Sequence, residues 1–246
     1  MPAVQVIQHT DGEYLGRVED HLEGRGIAFQ YVRPHVAGSW FPESIEDISC
    51  LFLMGGGPWG GAGVKNLPII MEEVSFVEKC LAAEIPVVGF GLGSQILCHA
   101  AGGGSDARDL SFDLTEFVRT DDNGLNGFLP ERMPAAVYMR DWPKPPSAAK
   151  ILARDLEDRP AVFQIGERSV GFASHPGFKL GMIEDLIMEF DDFPPDTGDT
   201  LLQMHAVQND MEDALVYIMT GLVQVTELMQ RQKLGRNPAA LKSCAA

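Results

Sequence analysis

The sequence Pro86-Val-Val-Gly-Phe-Gly-Leu-Gly-Ser-Gln95 predicts a buried strand that passes through a tight turn directly into a helix. This pattern has the frame of a nucleophile elbow, in which the central residue is held in a strained conformation and its Ser or Cys side chain projects above the sheet edge. Glycine occupies that central position, 91. Glycine adopts the conformation without steric cost but has no side chain that could attack a substrate. The sequence therefore predicts a catalytic scaffold without its nucleophile.

Strands and helices alternate through the first hundred residues. Apolar runs predict strands at Val4–Gln8, Phe29–Val32, Cys50–Met54 and Ile85–Phe90. Apolar residues at helical spacing predict helices over Tyr14–Leu22, Met71–Leu81 and Leu92–Ala101. The alternation predicts an α/β fold, a three-layer sandwich of the flavodoxin-like kind with a mostly parallel central sheet.

The second half of the chain changes character after Gly102-Gly-Gly104. Short strand candidates, Thr115–Val118 and Ala161–Ile165, alternate with proline-rich turns and predict antiparallel additions to the same sheet. A last short strand, Ser169–Ala173, leads into Ser174-His175-Pro176-Gly177. We expect one α/β domain over residues 1–195 and a C-terminal helical extension over residues 196–246.

A long helix is predicted in that extension. Met204, Met211, Ile218 and Val225 recur every seven residues, and a second seam with its flanking positions comprises Val207, Ala214, Gly221, Leu228, Leu215, Leu222 and Met229. Such a stripe can face a partner helix, which would make the protein a homodimer. It can also pack on the helix's own domain, and its width favours this second interpretation.

The charge and the cysteines narrow the classes of function. A formal net charge of −16 argues against nucleic-acid binding, which needs a basic surface. No apolar run approaches the roughly 20 residues of a membrane span, and Met1-Pro-Ala-Val-Gln-Val-Ile7 lacks the pattern of a signal peptide. The cysteines, at 50, 80, 98 and 244, have no paired spacing, so we expect free thiols in the cytoplasm.

No sequence pattern points to a metal or another cofactor. His9, His35, His99 and His205 are scattered without the spacing of metal ligands. The glycine runs at 55–57 and 102–104 lack the Lys-Ser/Thr ending of a phosphate-binding loop, so we interpret them as tight turns.

Three motifs, in the expected order and spacing, resemble the class I glutamine amidotransferase domain over about residues 4–190. They are Met54-Gly-Gly-Gly-Pro58, Gly89-Phe-Gly-Leu-Gly-Ser-Gln95 and Gly171-Phe-Ala-Ser-His-Pro176. In that family a Cys at the elbow attacks the side-chain amide of glutamine, and a His transfers the proton. A Glu two residues after the His orients it, and backbone N–H groups hold the oxyanion.

The resemblance implies that the backbone parts of this site are kept. Gly56 and Gly57 match the oxyanion loop, and Leu92 matches the residue that supplies the second N–H. Gln95 matches the glutamine beside the substrate pocket. Trp59 follows the loop, where it either lines the pocket or packs within the loop.

The same resemblance implies that the reacting side chains are lost. His175 matches the base, but the nucleophile position is Gly91 and the position of the orienting carboxylate is Gly177. Removal of a triad nucleophile costs several powers of ten in rate. Ser94, about 4.5 Å further along the helix axis, and Cys98, two turns on, do not reach the tip of the turn. Arg140-Asp141-Trp142 lies where the family often has a His-containing loop, and here that His is absent.

Two functions follow as hypotheses. The first is a catalytically inactive amidotransferase-like protein that binds glutamine or another small amide or carboxylate, or that serves as a subunit, for example of a synthase. The alternative is an active amidotransferase, glutamine amidohydrolase or γ-glutamyl hydrolase that uses an unrecognised nucleophile. His175 has a second interpretation too, as a histidine kept for packing or hydrogen bonding.

Overall fold

The computed structural model describes residues 3–34, 36, 41–42, 44–63 and 65–235, and of residues 232–235 only the backbone. Within these ranges the strands are β1 (Ala3–Ile7), β2 (Phe29–Val32), β3 (Ile48–Leu53), β4 (Val87–Phe90), β5 (Gly104–Asp106), β6 (Ser111–Arg119), β7 (Arg132–Met139), β8 (Trp142–Lys144), β9 (Lys150–Arg154), β10 (Pro160–Ile165) and β11 (Ser169–Phe172). The helices are α1 (Arg17–Glu23), α2 (Ile70–Ala82), α3 (Leu92–Ala100), α4 (Leu180–Glu189), α5 (Thr197–Val225) and α6 (Leu228–Gly235).

The central sheet has the order β2-β1-β3-β4-β11-β10-β9-β6-β7 among the described residues. Pairing is parallel from β2 to β11 and antiparallel from β11 to β7. β5 and β8 form a separate two-stranded sheet. The antiparallel additions predicted for the second half therefore extend the parallel sheet at one edge. The strands of the parallel half are apolar on both faces, which is typical of strands covered by helices on both sides.

Helices cover both faces of the sheet and confirm the predicted three-layer α/β class. Residues of α2 and α3, including Phe76 and Ile96, form one core with residues of β1, β3 and β4. Residues of α1 and α5, including Leu22 and Leu215, form the other core against the opposite face. A third cluster joins α4 and α5 to β6 and β7.

Helix α1 is shorter than its apolar spacing predicts. It begins at Arg17 rather than at Tyr14, because Gly16 adopts a left-handed conformation (φ 59°) and breaks the helical path. The preceding residues run instead as irregular backbone over the carboxyl end of β1. The other elements predicted in the first half lie within about two residues of the observed ones.

Helix α5 packs on the chain's own sheet through the predicted stripe. Met204, Met211, Ile218 and Val225 are buried, and α5 lies against β6, β7 and the short turn at Gly124–Gly127. The stripe does not continue as one helix, because Glu227 (φ 55°) separates α5 from α6. The division of the chain at residue 195 stays a prediction.

The cysteines of the described ranges are buried and unpaired, as expected for small core residues. Cys50, Cys80 and Cys98 are free thiols whose pKa values burial raises. Cys244 and His35 lie outside the described residues. None of the helices in the described ranges is long and apolar enough to cross a membrane.

Candidate functional site

The turn between β4 and α3 has the conformation of an elbow. Gly91 has φ 53° and ψ −118°, and its N–H donates to the carbonyl oxygen of Phe172 on β11 at 3.0 Å. A Cβ added to Gly91 would have the Cα of Gly55 at 3.5 Å as its one neighbour within 4 Å in the described structure. The elbow thus has room for a side chain, although the conformation is strained for residues other than glycine.

The two candidate substitute nucleophiles do not reach this point. The Ser94 hydroxyl donates back to the carbonyl oxygen of Gly91 at 2.7 Å and is fully buried. Cys98 lies on the core side of α3, where burial raises the pKa of its thiol and so disfavours the reactive thiolate.

The loop Met54–Pro58 lies directly against the elbow, and the N–H of Gly93 joins the two by donating to the carbonyl oxygen of Met54 at 3.0 Å. A Cβ at Gly56 would overlap the Leu92 side chain, so glycine is required there. Gly57 adopts φ 52°, and a Cβ added to it would lie 3.0 Å from the ring of Phe190. Gly56, Gly57 and Leu92 therefore meet at one point, where all three are buried.

His175 is buried beside the elbow, with both ring nitrogens in hydrogen bonds. Nε2–H donates to the carbonyl oxygen of Tyr14 at 2.8 Å, and Nδ1 accepts from the N–H of Gly177 at 3.1 Å. These partners define the neutral tautomer that carries its proton on Nε2. The ring packs against Phe90 and Phe178, and burial lowers the pKa of His175 to about 4.

Gly177, the predicted position of the orienting carboxylate, has no space for a side chain unless its neighbours shift. A Cβ at Gly177 would lie 2.7 Å from Cγ2 and 2.8 Å from the backbone nitrogen of Val18. The carbonyl oxygen of Gly177 accepts the N–H of Arg17 at 2.9 Å, which holds the start of α1 against this position.

Gln95 joins two loops that flank the elbow. Its side-chain oxygen accepts the N–H of Gly61 at 2.9 Å, and its amide donates to the carbonyl oxygen of Arg140 at 2.8 Å. The buried Asp141 makes a second link, because its carboxylate accepts the N–H groups of Ala62 at 2.8 Å and Arg108 at 2.9 Å. Both side chains therefore fix the loops around the elbow.

Glu13 is a site residue that the sequence analysis missed. It follows β1 and is 2% exposed, and its Oε2 accepts the N–H of Gly57 in a short hydrogen bond. Burial raises the pKa of Glu13 to about 7, against the opposing effects of the Gly57 N–H and of His9. The one signal in the sequence is its place after a parallel strand, at the sheet edge where ligand sites of such folds lie.

His9 and Glu73 form a second buried pair beneath the same loop. His9 Nε2 lies 2.8 Å from Oε1 of Glu73, and His9 Nδ1 lies 2.9 Å from the carbonyl oxygen of Gly55. Burial opposes charge on the ring, yet the Glu73 carboxylate raises the pKa of His9 overall. The pair thus places the His9 ring against the carbonyl oxygens of Met54 and Gly55, at the start of the loop that lies against the elbow.

Trp59 and His99 lie outside the elbow. Trp59 is half-buried and lines a 140 Å³ cavity with His9, Pro34 and Leu67, and Lys65 lies over its ring. His99 lies 3.1 Å from the Ser105 hydroxyl. The described residues contain no group of three or more His, Cys, Asp or Glu side chains that could hold a metal ion.

No protein-family model matches this chain, and no curated protein sequence matches it. Solved structures with similar folds do match. A glutamine amidotransferase from Methylobacillus flagellatus has a TM-score of 0.73 at 19% identity, covering 92% of this chain and 95% of that one. A glutamine amidotransferase from Thermotoga maritima has a TM-score of 0.76 at 20% identity, covering 92% and 99%.

A third similar structure, from Thermoplasma acidophilum, is that of a protein assigned as one of the subunits of a GMP synthase. Its TM-score is 0.55 at 17% identity, and the match covers 85% of this chain and 98% of that one. At these identities the likeness is one of fold. The chain therefore has the fold of the class I glutamine amidotransferases.

Proposed function

We propose that this protein is an amidotransferase-like protein without glutaminase activity, which serves as a subunit of a larger assembly. One observation carries the proposal: the elbow has Gly91 at its centre, and His175, whose ring packs on the neighbouring Phe90, has both ring nitrogens in hydrogen bonds within the chain. Neither position can perform its part of a covalent mechanism in this arrangement.

Amide hydrolysis through a covalent intermediate needs a nucleophile, a base with a free lone pair and donors for the oxyanion. Gly91 has no nucleophile. The Nδ1 lone pair of His175 accepts from Gly177, and its Nε2–H donates to Tyr14. The N–H of Gly57, the matching oxyanion donor, donates to Glu13. The nucleophile is therefore absent, the base is engaged inside the chain, and so is one of the two oxyanion donors that the resemblance implies.

The alternative of an active hydrolase has less support. It needs an unrecognised nucleophile near the elbow, and the two nearest candidates are Ser94, whose hydroxyl donates to Gly91, and Cys98, which faces the core. Of the two roles left to an inactive protein, the internal occupation of the site favours a subunit over a binder of free glutamine. The likeness in fold to a protein assigned as part of a synthase supports the same choice. The unpaired buried thiols support a cytoplasmic location.

Ammonia release from glutamine tests the proposal. The purified native chain and a His175→Ala variant are both expected to release ammonia at the background rate. Release by the native chain that disappears in His175→Ala would overturn the proposal, because it would require a working base and a hidden nucleophile.

Two further measurements extend this test. Ammonia release by Gly91→Cys is expected to stay near background because His175 is engaged. Gly26→Cys is the control for a cysteine at positive φ, since Gly26 has φ 64° and no atom near its Cβ. Glutamine is expected to leave the melting temperature of the native chain unchanged. A saturable rise would favour glutamine binding over the subunit role, since a ligand of the folded state stabilises it.

A further inference from the structure

A single segment of the chain contacts the oxyanion loop, the base position and the carboxylate position of the site. We call residues 10–18, the irregular backbone after β1 with the first two residues of α1, the β1–α1 segment. Its Glu13 accepts the N–H of Gly57, its Tyr14 carbonyl accepts Nε2–H of His175, and its Arg17 N–H donates to the carbonyl oxygen of Gly177. One segment thus meets three parts of the site together.

The residues around Glu13 match its side chain in shape and in hydrogen bonding. A Cβ at Gly55 would overlap the carboxylate, so the glycine there leaves the space that the carboxylate fills. The N–H of Glu13 donates to the Thr10 hydroxyl at 3.1 Å, which ties the backbone at Glu13 to the turn after β1. A charge-assisted bond from a backbone N–H to a carboxylate is about twice as strong as a neutral one.

The charges around Glu13 come from several elements. His9 at the end of β1 lowers the pKa of Glu13, and Glu189 at the end of α4 raises it. Tyr138 on β7 has a buried hydroxyl without a hydrogen-bond partner in the described part of the chain. Burial raises the pKa of Tyr138, and the charge of Glu13 raises it further. A histidine ring and a phenol hydroxyl therefore lie near the carboxylate.

We propose that the oxyanion loop at Gly55–Gly57 is a carboxylate-binding site whose resident ligand is the chain's own Glu13, so that the β1–α1 segment closes the site from within. This inference rests on the proposed function, because closure from within has a functional meaning only for a site that does not turn over a substrate. It also names the ligand class, because a small aliphatic carboxylate offers the loop the same acceptor and the same alkyl stem as the glutamate side chain.

Removal of the internal ligand tests this directly. Glu13→Ala leaves the loop N–H unpaired and, because alanine keeps Cβ, a space of the size of acetate, and its melting temperature is expected to fall by several degrees. Sodium acetate is then expected to raise the melting temperature again in a saturable way, with acetamide and sodium chloride at equal concentration as the comparison probes. Glu13→Gln is the matched control, because its amide oxygen fills the site, and neither it nor the native chain is expected to respond to acetate.

A response of Glu13→Ala to acetate no larger than its response to sodium chloride would overturn the inference. If Glu13→Ala does not fold, the NMR chemical shift of the Gly57 amide proton is compared between the native chain and Glu13→Gln. The resonance is expected to move upfield in Glu13→Gln, where the acceptor is neutral. An unchanged chemical shift would overturn the inference.

These readouts do not involve ammonia. Glutaminase activity in the native chain would therefore defeat the proposed function, while acetate binding by Glu13→Ala would still support the inference. A native chain that releases no ammonia, with a Glu13→Ala variant that does not bind acetate, would keep the proposed function and overturn the inference.

Discussion

The Nε2–H of His175 donates to the backbone carbonyl oxygen of Tyr14 across 2.8 Å, between residues that are 161 positions apart in sequence. A carbonyl oxygen only accepts, so the proton stays on Nε2, and Nδ1 accepts from Gly177. A base at this site would need a lone pair directed at the elbow. The hydrogen bond to Tyr14 therefore gives His175 a structural role in this arrangement and joins the β1–α1 segment to the end of β11.

We expect His175 to make stability depend on pH. Burial lowers its pKa to about 4 in the folded chain, whereas an unfolded histidine titrates near 6.5. Between these values the unfolded state binds more protons, so the free energy of unfolding falls as pH drops from 6.5 towards 4. The loss attributable to this residue is about 3 kcal/mol over that window. Urea unfolding at pH 7.5, 6.5, 5.5 and 4.5 measures it.

The control for this prediction is His175→Gln, which does not titrate. Other groups, including Glu13 with its raised pKa, also make the stability of both proteins depend on pH. Only the difference in the free energy of unfolding between the native chain and the variant is therefore used. That difference should shrink as pH falls below 6.5. A difference that stays constant from pH 7.5 to 4.5 would contradict the buried neutral ring.

A side chain at position 177 should destabilise the folded chain. In Gly177→Ala the new Cβ would meet the backbone and Cγ2 of Val18 at 2.8 and 2.7 Å, and overpacking of this kind costs about 1–3 kcal/mol. Gly177→Glu should cost more, so a carboxylate at the position that the resemblance implies should destabilise the chain. Denaturant unfolding of both variants provides the measurement.

Gly181→Ala is the matched comparison for this prediction. It lies in α4, four residues further on, where an added Cβ has no atom within 4 Å. Alanine in a helix is more favourable than glycine by about 1 kcal/mol. Gly181→Ala should therefore be neutral or stabilising, and equal losses at 177 and 181 would show that the contact with Val18 does not exist.

Helix α5 should matter for the stability of the chain itself. Ile218 is 2% exposed in the core beneath the sheet, while Val216 on the opposite side of the helix is 49% exposed. Ile218→Ala is expected to lower the free energy of unfolding by about 2–5 kcal/mol, and Val216→Ala by less than about 0.5 kcal/mol. Thermal unfolding at two protein concentrations measures both effects.

The same experiment separates self-packing from association through the helix. If the stripe packs only within its own chain, the loss in Ile218→Ala does not depend on protein concentration. A loss that appears only at low concentration, together with a change of size in gel filtration, would instead support the homodimer.

Patterns between near neighbours in the sequence were enough to predict much of the fold. Short apolar runs indicated β1, β3 and β4 because buried parallel strands are apolar on both faces. The glycines around position 91 indicated the elbow, since left-handed backbone favours glycine. The absence of a nucleophile at 91 is likewise readable from the sequence alone.

Such patterns could not predict contacts between residues far apart in the sequence, because a hydrogen bond between them leaves no local periodicity. The bond between Tyr14 and His175, the Glu13 carboxylate on Gly57 and the pair of His9 with Glu73 all depend on how β1, β3, α2 and β11 meet at one sheet edge. The composition and spacing of the sequence determined an α/β scaffold with an elbow that lacks its side chain. Only the tertiary structure decided that the space around this elbow is filled by the chain itself, because burial and pairing arise when the strands assemble.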